Sequence, residues 1–154
     1  MIAIKKTRDI VSSVDRVWKI ISNTDEDQKY WTNIREIKVL SRDGDTIERE
    51  AKVGPRAFSQ TSRQTLVLDA KRSIKLTLTG ESIMGGRTIA LVPVGENATR
   101  IDVAWEFELK DVPGFVQSIV KNQISKATDE ALSKIAAEAE RGTSPVTGRK
   151  GVAP

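Results

Sequence analysis

The chain has 154 residues, enough for one domain with a buried core, and sets 25 Lys and Arg against 21 Asp and Glu for a net charge of +4. It contains neither cysteine nor histidine, which excludes disulfides, thiolate metal sites and both Ser-His-Asp and Cys-His mechanisms. Its charges are mixed along the chain and aromatics are only 5%, so the clustered basic face interleaved with aromatics that marks a nucleic-acid binder is missing.

Ile2 to Val11 alternates as a strand whose apolar ends and polar middle predict partial burial. Ser12 or Ser13 then caps a short helix with Asp15 in its first turn and Val14, Val17, Trp18 and Ile21 on its buried face. Glu26 to Trp31 forms a second short helix with Tyr30 and Trp31 facing inward. From Ile34 the period changes to two. Strands are expected at 34–42, 46–53, 58–69, 73–80, 87–94 and 99–109, with hairpin or turn signals at Asp43-Gly44, Gly54-Pro55, Gly85-Gly86 and Gly95-Glu96-Asn97. Val112 to Arg141 is a long helix, with Asp111 as N-cap, Pro113 in its first turn and Gly142 beyond its end. At about 1.5 Å per residue it makes a rod of roughly 45 Å. Phe115, Val116, Ile119, Val120, Ile124, Ala127, Ala131 and Ile135 form its apolar stripe. Residues 142–154 have almost nothing to bury and are expected to be a disordered tail, leaving 1–141 as the domain.

Short links between successive strands favour antiparallel neighbours, and a twisted sheet with one apolar face needs a cover. The long helix is the element large enough to provide it. The expected class is therefore α+β, a curved seven-stranded antiparallel sheet wrapped around a long C-terminal helix, with two short helices between the first two strands.

This element order, the segment IVSSVDRVWKIISNTDEDQKYWTNIREIKVL and the long C-terminal helix resemble the START/Bet v 1-like superfamily, the polyketide cyclase/dehydrase and lipid-transport group. The resemblance covers residues 1 to about 141 and rests on architecture, not on a catalytic signature. It implies a helix-grip fold with a cavity between sheet and helix. It also implies binding of lipids, sterols, polyketides, quinones or plant hormones, with cyclases and protein-partner modules among the members.

Two readings of the interior follow. Ala127, Ala131 and Ala136 either let the helix approach the sheet closely or leave room beside it. In the second case a cavity is lined by Phe115, Ile119, Ile124, Ala127, Leu76, Leu78, Leu91, Val103, Trp105 and Phe107. Trp18 reads as core, whereas Tyr30 and Trp31 serve either the core or a cavity rim. Gln123 lies at the apolar stripe and either bonds a strand residue or orients a ligand. Arg49 shares a strand face with Ile47, Ala51 and Val53, while Arg63 lies in the polar run SQTSRQT. Polar groups on both faces of that run mean either a solvated edge or the wet end of a pocket, where Arg49 or Arg63 pairs with an oxygen of the ligand. The Gly54–Phe58 and Glu81–Gly86 stretches are ordinary hairpin loops or gates, with Phe58, Ile83 and Met84 covering an opening or touching a membrane surface transiently.

The leading function is binding or carriage of a hydrophobic small molecule, without catalysis and without metal or other cofactor. The alternatives are a cyclase/dehydrase-type enzyme, in which Glu or Arg must move protons, and a module whose groove binds a protein partner. The N-terminal MIAIKKTRD lacks a signal-peptide core and the chain lacks a long apolar run, so a cytoplasmic protein is expected.

Overall fold

The computed structural model describes residues 1–53 and 60–141. Phe58, the Gly54–Phe58 stretch, the Gly142 helix stop and the 142–154 tail lie outside the described residues. Seven strands, β1 (Ile2–Ile10), β2 (Ile34–Asp43), β3 (Thr46–Val53), β4 (Gln60–Asp69), β5 (Ser73–Thr79), β6 (Ile83–Gly95) and β7 (Ala98–Leu109), form one antiparallel sheet in the order β1-β7-β6-β5-β4-β3-β2. Helix α1 (Val14–Ile21) and a 3-10 turn (Thr24–Lys29) fill the β1–β2 connection, and α2 (Gly114–Arg141) closes the described chain. The expected helix-grip architecture is the one found.

Period-two alternation sends one face of each strand inward. Ile47, Leu66, Ile74, Leu76, Ile89, Leu91, Ile101, Val103 and Phe107 are buried there, and outward positions such as Lys75 and Glu106 are exposed. Ser13 caps α1 by accepting the Arg16 N–H at 3.2 Å. Val17, Ile20 and Ile21 of α1 are buried, and Trp18 is partly buried against the same core.

Three local readings change. The second short helix begins earlier than expected and is a 3-10 turn, ending in a Trp31 N–H bond to the Asp27 carbonyl. Asp111 is not the cap of α2: it has φ 58°, and Pro113 supplies the carbonyl that accepts from Val116 and Gln117. Of the Glu81–Gly86 stretch only Glu81 and Ser82 are a loop. Ile83 to Gly86 lie within β6, and Met84 to Gly86 are paired on both sides, Met84 between Thr79 and Glu108. Glycine is required there because a Cβ at Gly85 would sit 2.2 Å from the Glu106 carbonyl oxygen, and one at Gly86 2.7 Å from that of Leu76.

The two halves of α2 are held differently. All of its buried residues, Ala127, Thr128, Ala131, Leu132, Ile135, Ala136 and Ala139, lie from its midpoint onward. The same half is fastened to β1 and α1: Lys6 pairs with Asp129 at 3.1 Å, Arg8 donates to Ser133 at 3.3 Å, and Arg16 of α1 donates to the Glu138 carbonyl at 3.1 Å, while between them the Val11 N–H donates to Glu140 at 3.0 Å. Trp105 Nε1 donates to Thr128 Oγ1 at 3.0 Å, at the point where the helix leaves the sheet. Beyond it, from Lys126 back to Gly114, no residue is fully buried, and Phe115 is 74% exposed. Ala131 and Ala136 therefore serve close packing, Ala127 lies at the boundary, and the space opens under the other end of the rod.

Candidate ligand-binding site

The divergence of helix and sheet encloses a cavity of about 750 Å³. Val116, Ile119, Val120, Gln123, Ile124 and Ala127 of α2 form one wall, and Leu76, Leu78, Trp105 and Leu109 of the sheet form the opposite one. Trp31 to Arg35 closes a side, and Lys126 and Glu130 stand at the rim. Gln60, Ser62 and Gln64 of β4 add a polar strip. Since β4 lies between β3 and β5, that polar run is the wet end of a pocket and not a solvated edge.

The floor is electrostatically unusual. Three ionisable side chains, Arg49, Arg87 and Asp27, are buried at this end. Arg49 is held by the protein itself: Nε donates to Gln64 at 2.8 Å, Nη1 to the Thr24 carbonyl at 3.0 Å, and Nη2 lies 3.0 Å from Asp27 Oδ2 in an ion pair without a hydrogen bond. It thereby pins the 3-10 turn against β3 and fixes where Trp31 emerges. Burial pushes the Asp27 carboxyl above its ordinary range, against the pull of Arg87 and Arg49.

Arg87 has no such partners. It is 3% exposed and lines the cavity, yet it makes no hydrogen bond or ion pair with any described residue, and its Nε is unsatisfied. Its guanidinium lies 4.4 Å from the Trp31 ring centre and 5.6 Å from that of Trp105, two indoles that meet edge to face at 6.2 Å. Burial lowers its pKa to about 10, with Asp27 opposing and Arg49 adding to that shift, so it remains a cation at neutral pH.

Of the residues expected from sequence at the site, Trp31, Leu76, Leu78, Trp105, Ile119, Gln123 and Ala127 are brought together around this cavity. Gln123 is exposed at the rim and not a buried amide in need of partners. Leu91 and Val103 are core residues outside the lining, because the C-terminal half of α2 fills that end, and Phe107 is buried between Trp105 and Leu109 on β7 without lining the cavity. Phe115 faces solvent, and Met84 points off the outer side of β6 at 59% exposure. Arg63 is on the outer face, paired with Glu48 at 3.2 Å, and Arg49 sits behind the wall. Arg87 was missed, although it shares its strand parity with Ile89 and Leu91, the same sign that singled out Arg49. No three Asp, Glu, His or Cys side chains converge as a metal site among the described residues.

Residues 1–140 match the family described as polyketide cyclase/dehydrase and lipid transport. The chain belongs to that family. Among solved structures, this family member resembles the Zhui aromatase/cyclase from Streptomyces sp. R1128 with a TM-score of 0.85 at 13% identity, covering 96% of this chain and 99% of that one. A START superfamily protein from Mycobacterium smegmatis matches with a TM-score of 0.75 at 19% identity over 90% and 97% of the two chains. Thalictrum norcoclaurine synthase, solved as a point mutant with a transition-state analogue, matches at 0.70 and 18% identity over 93% and 96%. At these identities the likeness establishes the fold alone. No curated protein sequence matches the chain significantly. No helix among the described residues is long and apolar enough to cross a membrane.

Proposed function

We propose that this family member binds or carries a hydrophobic small molecule between the first half of α2 and the sheet. The observation that carries the reading is the cavity of about 750 Å³, walled mainly by aliphatic and indole side chains. That volume falls within the range of roughly 300–1,000 Å³ typical of small-molecule sites. Lipids, isoprenoids and polyketide-like molecules all suit such a wall. A protein partner has less to recognise, because the apolar surface is concave and recessed.

Native mass spectrometry of the freshly purified protein, followed by solvent extraction, tests this. A stoichiometric adduct of a few hundred daltons, or uptake of one from a lipid and quinone panel, is the expected result. A protein that stays free of adduct against the whole panel would overturn it.

A cyclase-type activity is the second reading, favoured by Arg87. A preorganised cation beside a folded polyketide would stabilise the enolate oxygen formed during ring closure. Turnover of a poly-β-carbonyl substrate, lost in Arg87→Met, separates an enzyme from a carrier.

A further inference from the structure

We infer that Arg87 is an anion-recognition residue, and that the ligand is an amphiphile whose single carboxylate lies in the plane of its guanidinium. This rests on the cavity reading above and specifies the chemistry of its occupant.

The first support is charge. Two buried guanidiniums, Arg49 and Arg87, share one buried carboxylate, Asp27, which is already in contact with Arg49. The floor of an otherwise apolar cavity therefore carries at least one uncompensated positive charge, where low dielectric makes an anion most valuable. The second is hydrogen bonding. Buried N–H groups are nearly always satisfied, and Arg87 has no polar partner among the described residues. The third is geometry. Trp31 and Trp105 lie against the cation as π partners, leaving donation to its in-plane N–H groups. A planar carboxylate matches that fork, and a flat unsaturated body would lie beside the same indoles. Gln60, Ser62 and Gln64 extend the polar floor alongside.

The test uses two probes that share one apolar body, 9-anthracenecarboxylate and 9-anthracenemethanol, titrated against the full chain and followed by quenching of tryptophan fluorescence. The wild type should bind the acid about tenfold or more tightly than the alcohol, as expected for charge-assisted hydrogen bonds. Arg87→Met should abolish that preference. Arg87→Lys, which keeps charge but not the planar fork, should retain part of it. Arg63→Met removes the same charge from the outer face and should leave the preference intact. Arg87→Gln repeats the comparison if the methionine variant fails to fold. Equal affinity for both probes, or a preference that survives every Arg87 variant, would overturn the inference while leaving the cavity reading in place. Binding of neither probe would remove the cavity reading and this inference with it.

Discussion

Arg49 and Arg87 are two buried arginines on inward positions of one sheet, and they do opposite things. Arg49 donates inside the protein to Gln64 and the Thr24 carbonyl and forms an ion pair with Asp27. Arg87 has no hydrogen-bond partner among the described residues, its Nε is unsatisfied, and it has aromatic rings against it. A buried charge that is fully partnered belongs to the scaffold, because its removal strands the groups it served. One that is stacked but unpaired is held ready for something that arrives later. Burial alone does not separate the two roles; the inventory of partners does.

The largest expected effect breaks the first half of that comparison. Arg49→Met strands Asp27, Gln64 and the Thr24 carbonyl, and loss of one partner of a buried pair costs about 3–5 kcal/mol. Urea unfolding should show the drop, and probe affinity should fall as well because the turn carrying Trp31 is no longer pinned. A loss below about 1 kcal/mol would mean that Arg87 can take over Asp27, and that the two arginines are interchangeable.

Arg87→Met should act in the other direction. Replacing an uncompensated buried cation by an apolar chain of similar length is neutral or stabilising, by about 1 kcal/mol here. For a chain of this size that raises Tm by roughly 2–4 °C. Marked destabilisation would assign Arg87 to the scaffold after all. The pH dependence has a definite sign. The folded pKa near 10 lies below the ordinary guanidinium range, so the unfolded state binds more protons between the two. The Arg87 contribution to stability therefore rises with pH through that window, and the rise should be absent from the methionine variant in chemical denaturation series above pH 10.

Most of the fold was legible because its signals are local and repeated. Period-two alternation over most of Ile34 to Leu109 marks the sheet and its inward face, and the stripe on α2 marks the cover. Phe115 belongs to that stripe by spacing, yet it faces solvent, because spacing does not tell where a straight rod parts from a curved sheet. The site was half legible for the same reason. Leu76, Leu78 and Trp105 share period-two alternation with Leu91 and Val103, and only the position of the divergence puts the first three in the cavity wall and the last two in the core. Gly85 and Gly86 look like a loop in sequence, but they mark the point where neighbouring strand backbones approach too closely for any Cβ. Arg87 follows directly after them as the first residue of the expected strand 87–94, where its parity with Ile89 and Leu91 sets it inward.

The smallest expected effect asks how much of the affinity belongs to the wall and how much to the cation. Ile119 lines the cavity from α2 but is 51% exposed, so Ile119→Ala should change stability by less than about 0.5 kcal/mol. A ligand in place covers that side chain. At about 0.8 kcal/mol per buried methylene, with the residue only partly covered, truncation should weaken each anthracene probe by about threefold. The two affinities should fall together and their ratio should not move, because Ile119 contacts the shared apolar body and Arg87 reads the group that differs. A change in the ratio on truncating Ile119 would mean that wall and cation act as one unit, the helix position setting how the carboxylate meets Arg87. The contrast between the arginines would then depend on where the free half of α2 rests.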